Sequence, residues 1–315
     1  MGSVLLTRPL PEGWTDPLSA AGHEVVVADA AGGFGAGLAK LVANADGLLC
    51  MLTDRVDATV LEAGAAGRLR VVSVAAVGYD NIDVATAARL GVAVCNTPGI
   101  LDETTADLAF LLILTAGRLA SGAEADLRSG RWEGWAITDH LGRDVHGTCL
   151  GLVGYGRIAR AVARRAEGFG MRVLHHTRNA TGRTGYVSDL AELLAQADTV
   201  SLHVPLTPAT RQLIGAAELA LMKPSAVLVN TARGAVVDEV ALARALDDGR
   251  IFAAGLDVYS EEPTVHPALL AAPRTVLLPH IGSATVETRT AMARMASQAI
   301  CDVLDGRTPE HLVRP

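Results

Sequence analysis

The sequence predicts an α/β protein containing two doubly wound parallel sheets, and three observations carry that expectation. Short apolar runs alternate with helix-length segments along nearly the whole chain, which favours parallel strands with crossover helices over a sandwich or a bundle. A turn cluster, Asn96-Thr97-Pro98-Gly99, divides the alternation into two series. At 315 residues there is room for two domains of roughly 100–200 residues each.

In the first series strands are expected at Val4–Leu6, Val25–Val27, Gly47–Cys50, Val71–Val74 and Val92–Cys95. Helical patterns such as Ala58–Ala66 and Val84–Leu90 lie between them. A long helix from about Glu103 to Ala120 follows, its apolar face expected at Leu108, Leu111, Leu112 and Thr115. A polar stretch from Ser129 to Val145 leads into the second series. Its strands are expected at Cys149–Val153, Arg172–His175, Thr199–His203, Ala226–Asn230, Ala253–Leu256 and Thr275–Leu278. Val286 to Leu304 reads as one closing helix.

Composition narrows the function classes. Half the residues are apolar and only 3% aromatic, so a large core must be built mainly from Ala, Val and Leu. A net charge of −7 argues against nucleic-acid or anionic-membrane partners. The longest apolar stretch, Leu108 to Gly117, is about half the roughly 20 residues of a spanning helix. Met1 to Thr7 is a short apolar strand without a cationic lead or cleavage site, so a cytoplasmic protein is expected. Cys50, Cys95, Cys149 and Cys301 show no metal-ligand spacing and read as buried reduced thiols; no metal is expected.

The strand Cys149–Val153 runs directly into Gly154-Tyr155-Gly156-Arg157-Ile158-Ala159 and then a helix. Glycines there allow a sharp turn and a close approach of backbone to a pyrophosphate, which sits at the positive helix N-terminus. Ala159 stands at the third glycine position, a variant the fingerprint allows. The following strand ends in His175-His176-Thr177-Arg178, without the carboxylate that would bind an adenosine 2′-hydroxyl. A hydroxyl and a guanidinium suit a 2′-phosphate, so NADP(H) is expected as the preferred cofactor, with NAD(H) the alternative.

Three later strands end in Thr231-Ala232-Arg233-Gly234, in Asp257-Val258-Tyr259-Ser260-Glu261-Glu262-Pro263 and in Pro279-His280-Ile281-Gly282-Ser283. Their functional groups therefore lie at C-terminal strand ends, where parallel sheets place ligands. With these motifs in order, together with Val77-Gly78-Tyr79-Asp80-Asn81-Ile82-Asp83, Thr97-Pro98-Gly99 and Thr104-Thr105-Ala106-Asp107, the chain resembles the D-isomer-specific 2-hydroxyacid dehydrogenases. Within that family it is most similar to the glyoxylate/hydroxypyruvate reductases, through the Trp132–Trp135 segment, Leu141–Gly147 and the Thr177-Arg178 strand end.

The chemistry explains the residue types. Arg233 can form charge-assisted hydrogen bonds to the carboxylate and ketone of a 2-keto acid, fixing the carbon that accepts a hydride. His280 is the expected acid toward the developing alkoxide and the base in reverse. Glu262 is expected to accept a hydrogen bond from its other ring nitrogen, favouring the imidazolium. The resemblance implies further roles. Amides of Val77 and Gly78 would hold the substrate carboxylate, with Leu52 and Ser283 also on the substrate. Asp257 would bind the nicotinamide amide, and Thr105, Val204, Pro205, Thr210, Thr231, Ala232 and Gly282 would flank the cofactor. His140, His146, His175, His176, His203 and His266 receive no catalytic role. Trp135 would either enter a partner subunit's substrate pocket or pack at the subunit interface.

By the same resemblance the fold is a Rossmann cofactor domain, residues 99–284, inserted into a flavodoxin-like substrate domain, residues 1–98 plus 285–315. Closure about the crossings near Pro98 and Ser283 would expel water, and a homodimer built largely through the cofactor domain is expected. The implied activity is NAD(P)H-dependent reduction of glyoxylate or hydroxypyruvate. Alternatives are a dehydrogenase for D-lactate, 2-ketogluconate or 3-phosphoglycerate, the last disfavoured by the missing strand-end carboxylate, or a non-catalytic cofactor-sensing scaffold.

Overall fold

The computed structural model describes residues 1–28 and 37–314. It divides the chain into two units, Met1–Leu101 with Ser283–Pro315, and Asp102–Gly282.

The first unit holds five parallel strands, β1 (Ser3–Leu6), β2 (Glu24–Val27), β3 (Gly47–Cys50), β4 (Val71–Val74) and β5 (Ala93–Cys95). They lie in the order β2-β1-β3-β4-β5, so the chain reverses its direction of sheet growth at β1. β3 and β4 are buried at every position, as expected of parallel strands covered on both faces. One cover is supplied from the far end of the sequence. The helix Val286–Leu304 repeats Met292, Ala293, Ala296, Ala299 and Ile300 at helical spacing, and all five are buried. Ile300 comes so close to the sheet that a Cβ on Gly47 would lie 2.8 Å from its methyl. Ala296 and Ile300 share a core cluster with Val4, Leu49 and Val71.

The second unit holds six parallel strands, β6 (Cys149–Val153), β7 (Arg172–His176), β8 (Thr199–Leu202), β9 (Val227–Asn230), β10 (Ala253–Leu256) and β11 (Thr275–Leu277). Their order is β11-β10-β9-β8-β6-β7, so here the reversal falls at β6. A reversal parts the loops after neighbouring strands and leaves a crevice at their carboxyl ends. The glycine turn follows β6 directly and therefore stands at that crevice. Every strand lies within one residue of the run expected for it, because short apolar runs bounded by turn residues leave little freedom.

The long helix differs from expectation. It spans Asp102–Gly117, and Leu119 then takes a left-handed φ of 53° before a second helix, Ala120–Arg128, with no buried residue. Leu108 and Leu112 are buried as expected, but Leu111 is 50% exposed. A run that is apolar almost throughout carries no period to orient it. The buried face turns out to include Ala106, Ala109, Phe110, Ile113 and Ala116. Leu112 reaches β10 where Gly255 has no side chain; a Cβ there would lie 2.9 Å from that of Leu112. The four cysteines are buried and free. Among the described residues no single helix is long and apolar enough to cross a membrane.

Leu112 is fully buried, so Leu112→Ala should destabilise the second unit by about 3 kcal/mol through lost burial and a residual cavity. Urea unfolding would show the loss as a lower midpoint; an unchanged midpoint would mean that this helix is not part of the cooperative core.

Candidate active site

Gly154 leaves β6 at a φ of +91°, a region that L side chains rarely adopt, and a Cβ there would lie 2.5 Å from the His203 carbonyl oxygen. Gly156 is the N-cap of the helix Arg157–Gly168, and no side chain caps its first turn. A Cβ at Gly156 would meet nothing within 4 Å, so the loop is open there, as a close approach of backbone to a pyrophosphate requires. Ala159, fully buried, seats the helix on the sheet. Ile158 is half-buried, and the Arg157 guanidinium pairs with Asp102 at 3.3 Å. Tyr155 stacks on His175, ring centroids 3.8 Å apart.

At the end of β7, Arg178 is exposed, while the Thr177 hydroxyl donates to the Asn179 carbonyl at 2.6 Å. The proton expected to serve a phosphate is therefore engaged within the loop. After β8, Val204 is half-buried and Pro205 exposed, and the Thr210 hydroxyl donates to the Pro205 carbonyl at 2.6 Å, shaping that loop. After β9, the buried Thr231 hydroxyl has no hydrogen-bond partner among the described residues. A buried polar atom left over at the carboxyl end of this sheet fits a bound polar group. These features together suit a dinucleotide.

Arg233, Glu262 and His280 follow β9, β10 and β11, which are adjacent strands. His280 Nδ1 donates to Glu262 at 2.7 Å, and this leaves Nε2 as the ring nitrogen to meet a reacting oxygen. The other Glu262 oxygen accepts from the Tyr259 amide at 2.9 Å. The Tyr259 phenol donates to the Leu278 carbonyl at 2.9 Å, two residues before His280. Burial pushes that phenol's pKa up to about 12, keeping its proton in place. Gly234 abuts the same residue: a Cβ there would lie 1.9 Å from the Tyr259 carbonyl carbon. Tyr259 thus joins the segments bearing all three groups. Asn230, 1% exposed, shapes the Arg233 turn by accepting from the Ala232 amide at 3.0 Å and donating to the Arg233 carbonyl at 2.9 Å. Neither Asn230 nor Tyr259 is expected at the site from the sequence; the one local signal is Asn230, the polar residue that closes the buried β9 run.

His280 has a φ of 55°, an unusual conformation for a non-glycine residue and one that concentrates at functional sites. Asp257, buried, accepts from the next two amides, Ile281 at 2.7 Å and Gly282 at 2.8 Å, and so holds that turn. Gly282 also lies against Thr105, whose Cγ2 is 3.5 Å from where a Cβ would stand. Burial raises the Asp257 pKa against the pull of those amides and His280. Burial likewise opposes ionisation of Glu262, but hydrogen bonds from His280 and the Tyr259 amide, with the Arg233 charge, hold its pKa below the ordinary 4.5.

In the first unit Leu52 follows β3, while Val77 and Gly78 follow the adjacent β4, all three half-buried. The Asn81 amide ties the two loops, donating to the Met51 and Asp54 carbonyls at 3.1 and 2.8 Å. Asn96 donates to the Val77 carbonyl at 2.7 Å. Ser283 opens the returning segment of this unit.

The D-isomer specific 2-hydroxyacid dehydrogenase family, through its NAD binding domain, matches residues 110–282. The chain belongs to this family. It is 46% identical to a glyoxylate reductase of Thermococcus litoralis over 286 residues, 88% of this chain and 86% of that protein. The TT0316 protein of Thermus thermophilus superposes with a TM-score of 0.93 at 44% identity, covering 99% of this chain and 100% of the other. An NADPH-dependent glyoxylate/hydroxypyruvate reductase of Sinorhizobium meliloti, solved with NADP and malonate, gives 0.87 at 34% identity over 99% and 96% of the chains. This family member is accordingly an oxidoreductase of the NAD(P)-dependent 2-hydroxyacid class with a nicotinamide cofactor.

Because the folded-state pKa of Glu262 lies below the unfolded one, its ionised form stabilises the fold above the ordinary value of 4.5. That contribution is lost as pH falls through the folded-state value. Melting curves of Glu262→Gln should consequently decline less steeply than wild type on acidification below 4.5; parallel pH profiles would refute the assignment.

Proposed function

We propose that this family member reduces glyoxylate and hydroxypyruvate, giving glycolate and D-glycerate, and prefers NADPH to NADH. The observation that carries the reading is the 2.7 Å His280–Glu262 pair, tied through Tyr259 to the turn bearing Arg233. The names of the relatives support the substrate class.

Arg233 binds the substrate carboxylate and carbonyl oxygens and so orients the carbonyl carbon. Amides of Val77 and Gly78 hold the carboxylate as well, with Leu52 and Ser283 against the substrate. A reduced nicotinamide, when bound, would supply the hydride. His280 gives its Nε2 proton to the carbonyl oxygen as negative charge develops, while Glu262 accepts the hydrogen bond from Nδ1 and stabilises the ring as it cycles. Gly154, Tyr155, Gly156, Arg157 and Ile158 hold the pyrophosphate, Thr231 and Asp257 the nicotinamide end. The preference for NADPH rests on Arg178 and on the absence of a carboxylate at the end of β7.

The active form is a homodimer. Leu127, Trp132, Trp135, Ile137 and Leu141 are each more than half exposed within one short stretch, and Trp135 is 81% exposed. Leu111, on the helix Asp102–Gly117, is also exposed; this concentration of exposed apolar side chains suits a second copy of the chain.

Steady-state rates over a panel of 2-keto acids with both reduced cofactors test the activity. Glyoxylate and hydroxypyruvate with NADPH should give the highest kcat/KM; faster turnover of pyruvate, or of any substrate with NADH, would overturn the respective half of the proposal. His280→Gln should lower kcat by roughly 100-fold or more while still binding cofactor. Sedimentation velocity should give twice the 32.6 kDa chain mass, with Trp135→Ala shifted toward the single chain; wild type sedimenting at one chain mass would exclude the dimer.

A further inference from the structure

The rings beside the glycine loop take no part in the chemistry above. His175 lies in β7 and is completely buried. It stacks on Tyr155 with an interplanar angle of 16°, and Tyr186 lies against it at 5.8 Å, tilted by 55°. Its Nε2 is 2.7 Å from the Thr181 hydroxyl, whereas Nδ1 is buried and has no partner among the described residues. A bare ring nitrogen costs less to bury unpaired than an N–H, so the proton belongs on Nε2 and the ring donates to Thr181. The same Thr181 oxygen accepts from the Arg183 amide at 3.2 Å.

The main chain of His175 also closes the base of this loop. Its amide donates to the Gly185 carbonyl at 2.8 Å, and its carbonyl accepts from the Val187 amide at 2.9 Å. Residues 177–185 are therefore gathered around one imidazole, tied at the base by its backbone and in the middle by its ring. The loop carries two exposed arginines, Arg178 and Arg183, and it follows the strand whose end meets the adenosine ribose in this fold. Since the Thr177 proton goes to Asn179, a phosphate here must be held by other groups. Burial, and then the nearby Arg183 charge, push the His175 pKa below the ordinary histidine value. The ring stays neutral, and the loop's positive charge resides on its arginines.

We propose that His175 is a positioning residue for cofactor discrimination: through Thr181 it holds the 177–185 loop in the shape in which Arg183, beside Arg178, binds the 2′-phosphate of NADP(H). This rests on the NADPH preference proposed above. It adds a second guanidinium and a buried pillar to that preference.

Calorimetric titration of NADP⁺ and NAD⁺ into wild type, His175→Leu, His175→Gln and Arg183→Gln tests it, with a melting curve for each variant. His175→Leu and Arg183→Gln should each weaken NADP⁺ roughly tenfold, as expected for losing a charge-assisted contact, while NAD⁺ changes less than about twofold. His175→Gln keeps a side-chain N–H for Thr181 and should recover most of the NADP⁺ affinity. If His175→Leu does not fold, the Arg183→Gln and His175→Gln ratios decide. Equal losses for both cofactors, or none for NADP⁺, would overturn the proposal while leaving a wild-type NADP⁺ preference standing. Wild type binding NAD⁺ as tightly as NADP⁺ would instead bring down the phosphate reading itself, and this proposal with it.

Discussion

The backbone of Gly234 lies against that of Tyr259 at a separation that excludes any side chain. The functional groups of the second unit depend on this contact. Arg233 sits one residue before it, and Tyr259 reaches from it in two directions, by its amide to Glu262 and by its phenol to the carbonyl of Leu278. Three strand ends are thereby held at fixed spacing by one glycine and one tyrosine. A hydride acceptor must be oriented to within a fraction of an ångström, and short main-chain contacts tolerate less drift than long side chains do.

The same region carries costs that its surroundings offset. Glu262 and His280 are both largely removed from water, and burying a carboxylate is unfavourable unless its oxygens are paired. Here one oxygen accepts from the imidazole and the other from an amide. The left-handed backbone of His280 is a second cost, offset by Asp257 with two amide hydrogen bonds immediately after it. A buried carboxylate that holds a strained turn is a rigid support, and it fixes the ring without touching it.

Both sheets reverse direction at their first strand, and each gathers candidate ligand groups at carboxyl ends. The first sheet is completed by the last helix of the chain, whose Ala296 and Ile300 cover β1, β3 and β4. The division of the chain into units follows from that burial. A sheet open on one face would expose Val4, Leu6, Leu49 and Val71, and the helix whose Ala296 and Ile300 share their cluster lies almost two hundred residues after β5.

Much of this was legible in the order of residues alone. Buried parallel strands are short apolar runs between turn residues, so their places are local facts. The Gly154–Gly156 turn, and Arg, Glu and His after successive strands, are local too. Leu111, expected on the buried face, is half exposed, because an apolar run without period does not say which side meets the core. The Thr177 hydroxyl, which residue type alone suits to a 2′-phosphate, instead donates to the Asn179 carbonyl two residues on, a local bond that a short polar side chain readily makes. Sequence determined which chemical groups the chain owns and the strand each one follows, because period and turn chemistry act over a few residues. Tertiary structure alone decided that Asn230, Asp257 and Tyr259 hold those groups and that His175 gathers a loop, because a hydrogen bond between distant segments depends on how strands pack and leaves no periodic trace.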